Sequence, residues 1–314
     1  MNSIFSKRLQ KIRQAADITQ EKIATELGVS FATVNSWINN RSYPRQKHQE
    51  LINKLYEFYV AGKETIPPGK LEEKKSRINK KAIRYQYITD LITNRRDLKD
   101  QFLLLLTYNT NRIEGSTMTR EDTAAVLFDN QSLANHSLVE QMEAKNHQSA
   151  FNYILTEWMN SKKRTTDSEE ILNLHQMLMN GILSDAGHYR DHSVRIVGAN
   201  IPTANWQSVP QKMNKLIKEI NHPRSGDTIH RIAQIHAQFE QIHPFSDGNG
   251  RIGRLLMNMM AFQKDLPPII IENSRKRVYY KYLQKAQLEE KYNFLEDLVC
   301  DSLLESYKII ENLR

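Results

Sequence analysis

Residues 243–254 of this chain read His-Pro-Phe-Ser-Asp-Gly-Asn-Gly-Arg-Ile-Gly-Arg. His243 is the one group in that stretch whose ordinary pKa suits general-base work near neutral pH. Gly248, Asn249 and Gly250 stand immediately before an apolar-periodic run, Ile252, Leu255, Leu256 and Met259. Two residues without a β-carbon at a helix start let backbone N–H groups close around a phosphate. Arg251 and Arg254, three apart on that helix, can both reach a polyphosphate bound there, and two guanidinium forks favour a triphosphate over a single phosphate. Asp247 is a hard carboxylate just ahead of the cradle and suits Mg2+, with phosphate oxygens and water completing the shell. A lone Gly-Asn-Gly would be only a turn. The joint spacing of these residue types reads as a catalytic loop, with Pro244 and Phe245 as its rigid turn and its anchor in the core.

A second stretch, Thr110-Asn111-Arg112-Ile113-Glu114-Gly115, ends an apolar helical pattern. Gly115 suits the left-handed residue that follows a helix, and Thr110 sits one turn before Glu114. By local physics this is a capped helix end. A glutamate there opposes the helix dipole, so Glu114 is expected to have a partner elsewhere.

Residues 243–254 match the motif HPFx(D/E)GNGRxxR of the Fic family at every specified position, and the resemblance extends from about residue 100 to 290. It implies that His243 is the general base and Asp247 the Mg2+ ligand. Gly248, Asn249 and Gly250 would form the anion hole, with Arg251 on the phosphates and Arg254 on the γ-phosphate. The implied reaction moves AMP from ATP to a Ser, Thr or Tyr hydroxyl of a protein, this chain itself included, and releases pyrophosphate. Relatives that act as kinases carry Lys where this chain has Gly250, which argues for adenylylation.

Two further segments resemble the same family. The run Gly187-His188-Tyr189-Arg190 followed by residues 195–201 is similar to the Fic flap, in which Arg195, Ile196, Val197 and Gly198 would dock a target segment as an added strand. Thr110, Glu114 and Gly115 resemble the inhibitory motif (S/T)xxxE(G/N), in the arrangement where the inhibitory helix precedes the catalytic loop. That resemblance implies that Glu114 pairs with Arg254 and keeps the resting enzyme slow. In some relatives the same glutamate helps to remove AMP, and the sequence leaves that reverse role open.

The elements that must position these groups are nearly all helical. Apolar periodicity predicts helices at about 81–96, 98–113, 119–128, 133–161, 168–181, 206–221, 227–241, 250–264, 275–288 and 291–311. Residues 193–201, SVRIVGANI, alternate and then supply turn residues, which predicts a small β-hairpin. His188 and His192 are spaced i, i+4 but have no third ligand near them in sequence, and His222, His230 and His236 show no ligand spacing with carboxylates. These histidines read as surface or core residues. The expected fold is all-α: a Fic-type bundle with a hairpin flap over residues 82–314, its inhibitory helix ending near 115, a linker at 60–81, and a small helix-turn-helix domain at 1–59.

In that first domain, Thr19-Gln20-Glu21 opens a helix to Leu27, Gly28-Val29-Ser30 makes a tight turn, and residues 31–39 form a second helix. The pattern resembles the repressor-like helix-turn-helix family over residues 5–58. The resemblance implies that Gln20, Ser30, Phe31, Asn35 and Ser36 approach bases and that Arg41, Arg45 and Lys47 meet phosphates of duplex DNA. Ile38 and Asn40 stand where the family usually has Glu and Gly, and Asn40 can take the left-handed conformation in glycine's place. The other reading of the domain is a helical protein-interaction or dimerisation module.

Charge placement supports the division. Residues 1–81 hold 16 Lys and Arg against 8 Asp and Glu, while residues 82–314 hold 28 of each, so the net charge of +8 lies wholly in the first quarter. A basic module on a neutral body suggests that the module meets a polyanion. Cys300 is the only cysteine, which excludes an intrachain disulfide and a cysteine zinc cluster and favours a reducing compartment, the cytoplasm. The N-terminal residues lack the apolar stretch of a secretory leader, and the longest compact apolar run, residues 102–106, is far short of a membrane span. No membrane partner is expected, and a homo-oligomer is compatible with the sequence. Two functions emerge: an AMP-transferring enzyme restrained by Glu114, and a DNA-binding transcription regulator whose Fic domain senses nucleotide.

Overall fold

The computed structural model describes residues 3–160, 165–195, 201–222 and 226–313. It divides into two compact units, one of Met1–Ile66 with Glu272–Leu283 and one of Pro67–Ile271 with Gln284–Arg314. Among the described residues there is no strand. The chain is all-α.

The first unit opens with α1 (Ile4–Ala16), α2 (Gln20–Leu27), α3 (Phe31–Ile38) and α4 (Gln46–Tyr56), the last running into a π-helical turn at Glu57–Ala61. Ser3, Thr19 and Ser30 cap the first three helices through their side-chain oxygens. Gly28 ends α2 with φ 65°, the left-handed conformation that lets the chain turn at once into α3. Leu9, Ile12, Ile23, Val34 and Ile52 are fully buried among these helices, and Trp37, 5% exposed, belongs to the same core. Asn40 takes φ 57°, the conformation glycine would otherwise supply.

The second unit begins with α5 (Lys70–Arg84), α6 (Ile88–Asn94), α7 (Arg96–Glu114), α8 (Arg120–Phe128) and α9 (Leu138–Tyr153), which passes into a π-helical turn at Ile154–Trp158. It continues with α10 (Ser168–Leu178), α11 (Val209–Asn221), α12 (Thr228–Ile242), α13 (Asn249–Phe262), the end of α14 (Lys276–Glu289) and α15 (Asn293–Asn312). Helix α13 lies at the centre, packed on α7, α10 and α12. Asn249 and every residue from 251 to 262 are buried, including two arginines.

Several expected boundaries differ. The helix expected at 81–96 is two helices, since Tyr87 has φ 61° and its N–H and that of Thr89 are taken by the Asp265 carboxylate at 2.5 and 3.3 Å, which caps α6 from a distant position. The helix expected from 133 starts at Leu138, where Ser137 and Glu140 form a capping box. Within the stretch read as linker, residues 70–81 are helical. The mixed charges there belong to a helix that faces carboxylates: Lys74 pairs with Asp297 at 2.6 Å and also with Asp301, and Lys75 pairs with Glu296 at 2.5 Å and also with Asp227. These partners are far off in sequence, so local composition could not show them.

Of the expected hairpin, Ile196, Val197 and Gly198 lie outside the described residues. Arg195 and Ile201 are described and are not in strands. The flanks of the segment meet where the Thr203 hydroxyl donates to the Val194 carbonyl at 3.0 Å.

Candidate active site

Helix α12 ends at His243, whose N–H bonds the Phe239 carbonyl at 2.9 Å and whose φ of 52° turns the chain out of the helix. Its ring is held by Nδ1, 3.2 Å from the Glu240 carbonyl oxygen. A carbonyl only accepts, so Nδ1 carries the proton and Nε2 keeps its lone pair. The ring is mostly buried, and that burial lowers its pKa from the ordinary histidine value, with Arg190 adding in the same sense against the opposing Glu240 carbonyl, Glu114 and Asp247. The neutral imidazole that a base requires is therefore favoured.

The loop after His243 is tied down on three sides. Asn249 closes it from within: its Oδ1 accepts from the Phe245 N–H and its Nδ2 donates to the Phe245 carbonyl, both at 2.9 Å. The Asn249 side chain is thus spent on the turn, which leaves the backbone of Gly248, Asn249 and Gly250 as the part that can face an anion. Arg190, 3% exposed, donates Nε to the His243 carbonyl at 2.7 Å, Nη1 to the His192 carbonyl at 2.7 Å and Nη2 to the Ala204 carbonyl at 2.6 Å, and its N–H reaches the Pro244 carbonyl at 2.9 Å. This guanidinium clamps the motif loop to the chain at His192 and Ala204.

His175 on α10 is the third tie. Its ring stacks on Phe245 with centroids 3.7 Å apart and planes 7° from parallel. Nδ1 accepts the Gly187 N–H at 2.9 Å, so Nε2 carries the proton and donates to the Asp247 carbonyl at 3.1 Å. Burial pushes this histidine down to about 4, which keeps the arrangement neutral. Gly248, the N-cap of α13 with φ 80°, lies against Met179, where a β-carbon would come within 2.9 Å of Sδ.

At the start of α13 both motif arginines meet glutamates. Arg251, 2% exposed, donates Nη1 to Glu143 Oε1 at 2.5 Å, and its Nη2 lies 3.5 Å from Asp247 Oδ2. Its Nε is buried without an acceptor among the described residues. Arg254, 5% exposed, donates Nε to Thr110 Oγ1 at 2.7 Å and Nη2 to Glu114 Oε1 at 2.5 Å. The C-terminus of α7 is shaped for this contact. Gly115 has φ 111°, the Ser116 N–H returns to the Asn111 carbonyl at 3.0 Å, and Thr110 is buried. A β-carbon on Gly250 would run into Glu114 Oε1, so the carboxylate lies directly over the cradle.

The structure therefore brings His243, Asp247, Gly248, Asn249, Gly250, Arg251, Arg254, Thr110, Glu114 and Gly115 to one place. Sequence reading missed His175, Glu143 and the clamping role of Arg190. The signal for His175 was a histidine amid Ile171, Leu174 and Leu178, all fully buried on one face of α10. Among the described residues the His188 ring bonds the Ala186 carbonyl and the His192 ring the Asp191 carboxylate, and no group of three or more metal-ligating side chains occurs.

In the first unit, Phe31 is 46% exposed and Arg41 is also exposed. Ser30 is occupied with capping α3, Ser36 bonds Ser42 at 2.7 Å, and Asn35 accepts from Asn39 at 2.8 Å. Gln20 Oε1 is buried with no donor among the described residues.

A glycine cradle at a helix start, with a histidine before it and two arginines behind it inside an all-α bundle, is the arrangement expected from the resemblance of residues 243–254 to the Fic motif. Residues 165–261 match the family model described as the Fic/DOC family, and residues 9–57 match a helix-turn-helix model. Residues 165–261 are thus similar to a Fic domain, and residues 9–57, earlier in the chain, to a helix-turn-helix domain. It is similar to the protein adenylyltransferase Fic of Nematostella vectensis, 30% identical over 186 residues, covering 57% of this chain and 42% of that protein. Protein adenylyltransferase fic-1 of Caenorhabditis elegans is 27% identical over 197 residues, covering 62% of this chain and 38% of the relative. The chain thus spans less than half the length of these curated relatives. Among solved structures, Fic-1 of C. elegans superposes with a TM-score of 0.66 at 18% identity, covering 98% of this chain and 89% of that one. A Fic family protein from Desulfovibrio desulfuricans gives 0.65 at 23% identity, covering 78% and 76%. At these identities the likeness is one of fold.

Proposed function

We propose that this chain is a protein adenylyltransferase held back by Glu114. The observation that carries the reading is the pairing of a histidine with a free, unprotonated Nε2 and an anion cradle whose two arginines lie at its rear. In the reaction a protein hydroxyl attacks the α-phosphorus of ATP and passes its proton to His243 Nε2 as the new P–O bond forms. The bond to the β-phosphate breaks and pyrophosphate leaves. The backbone of residues 248–250 would hold the phosphates, Arg251 would offer its unpaired Nε, and Arg254 would take the γ-phosphate once Glu114 yields.

Asp247 fits a Mg2+ ligand. Its side chain is 64% exposed at the mouth of the cradle, and Oδ2 has only the long 3.5 Å contact to Arg251. A Mg2+ ion held there would neutralise charge on the polyphosphate. Glu114 covers the cradle from the α7 side, which supports the reading of a brake. Transfer of label from ATP by Glu114→Gly in cell extract, with mass spectrometry of the product, tests reaction, nucleotide and target class together. No gain in labelling over wild type would refute the brake.

The helix-turn-helix match supports a role for the basic first unit on duplex DNA, with Phe31 and Arg41 presented outward. A transcription regulator whose Fic domain senses nucleotide is the second reading that this match favours. No described helix is long and apolar enough to cross a membrane. The buried free thiol of Cys300 is consistent with the cytoplasm.

A further inference from the structure

Arg251 on α13 is 2% exposed, and a guanidinium taken that far out of water needs an answering charge and acceptors for its donors. Among the described residues it meets two carboxylates. Nη1 donates to Glu143 Oε1 at 2.5 Å, and the Glu143 side chain is 15% exposed, so this pair is close and mostly shielded. Nη2 lies 3.5 Å from Asp247 Oδ2, a long contact to a side chain that is 64% exposed and therefore well screened.

The nitrogen that Glu143 takes decides what is left. A guanidinium is planar and has two edges that can each hold a pair of oxygens, one formed by Nη1 and Nη2 and the other by Nε and Nη2. Glu143 engages the first edge at Nη1. On the second, Nε has no acceptor among the described residues and Nη2 has only the long contact to Asp247. The N–H groups of that edge are parallel, which suits two oxygens of one phosphate.

Glu143 is carried by a helix that is itself held. It lies on α9 one turn after Glu140, whose carboxylate closes the capping box at Ser137 and also accepts the Thr117 N–H, just past α7, at 2.6 Å. Further along α9, Asn146 Nδ2 donates to the Leu178 and Asn180 carbonyls at the end of α10, at 3.1 and 2.9 Å, and His147 Nδ1 lies 2.8 Å from the Thr107 hydroxyl of α7. These ties fix the point from which Glu143 reaches Arg251.

We propose that Glu143 is a positioning residue for the nucleotide: by holding Nη1 it presents the Nε–Nη2 edge of Arg251 to the cradle, where that edge takes two oxygens of one phosphate. The inference rests on the cradle being a polyphosphate site, as the transferase reading requires. The charge of Glu143 acts in the opposite sense, since a carboxylate near the cradle repels phosphate. Position and charge therefore lead to opposite outcomes when Glu143 is replaced.

The test is ATP binding by isothermal titration calorimetry on the full chain, with Glu114→Gly as the reference so that the cradle is uncovered. Adding Glu143→Gln keeps a carbonyl oxygen for Nη1 and drops the charge, and its affinity is expected to equal or exceed that of the reference. Adding Glu143→Ala drops both charge and acceptor, and its affinity is expected to fall about tenfold or more. In an Arg251→Lys background, Glu143→Ala is expected to bring no such fall. Should Glu143→Ala fold poorly, Glu143→Asp, a methylene shorter with the charge kept, is expected to bind more weakly than the reference. Binding in Glu143→Ala no weaker than in Glu143→Gln overturns the proposal, as does binding in Glu143→Asp no weaker than in the reference, or an equal fall in the Arg251→Lys background. A reference that binds no ATP overturns it together with the transferase reading, whereas a reference that binds ATP and labels no protein defeats the transferase reading alone.

Discussion

The Glu114 carboxylate and the Arg254 guanidinium, 140 positions apart in sequence, meet at 2.5 Å at the start of α13. A charge-assisted hydrogen bond of this kind contributes about 1.5–3 kcal/mol. Its release should therefore raise AMP transfer about 10- to 150-fold. Glu114→Gly is expected to show that gain in a labelled-ATP assay, and adding His243→Ala should abolish it. A gain that survives loss of His243 would remove the histidine from the chemistry.

Burial lowers the pKa of His243, so its neutral, basic form persists below the ordinary histidine value of about 6.5. The acid limb of kcat/KM for Glu114→Gly should accordingly fall at a pH below that value, since only protonated His243 is inactive as a base. Rates measured from about pH 5 to about pH 8 check this. An acid limb centred above about 6.5 would be incompatible with the buried geometry.

Burial depresses His175 to about 4 and His147 and His236 each to about 3. Unfolded histidines bind protons near pH 6.5, so between about 6.5 and those depressed values the unfolded chain takes up more protons than the folded one. Stability should be complete above about pH 6.5 and decline as the pH falls through this window. His175→Phe retains the stack on Phe245 but orphans the Gly187 N–H and the Asp247 carbonyl. It should cost about 1–3 kcal/mol at neutral pH while making the acid decline of Tm shallower. An unchanged slope would show that His175 is not held neutral.

If the first unit binds duplex DNA through phosphates, a mobility shift should weaken steeply between about 50 mM and about 200 mM salt. Arg41→Ala should weaken binding to all sequences alike and reduce the salt slope by about one. Affinity indifferent to salt would favour the protein-interaction reading of this unit.

The legibility of these features followed how local their causes are. The capped turn at Gly28, the left-handed Asn40 and the helix end at Gly115 depend on neighbours within one or two turns, and their residue types announce them. The start of α6 depends on Asp265, and the helical stretch from Lys70 faces Glu296, Asp297 and Asp301. Nothing within a local window points to those partners. The hairpin expected from the alternation in SVRIVGANI falls on residues 196–200, which lie outside the described residues.

By itself, the sequence determined that a histidine, an acid, two glycines and two arginines fall on one loop and the first turn after it, because their spacing is covalent and a helix start has one geometry. It also determined the order of the two domains and the basic excess of the first. Tertiary structure alone decided which charges meet. Packing α7 against α13 sets Glu114 on Arg254, and Glu143 of α9 meets Arg251. Packing α10 beside the loop gives His175 its stack and its proton. Charge pairing and burial depend on distances between helices remote in sequence, and those distances exist only once the core has closed around α13.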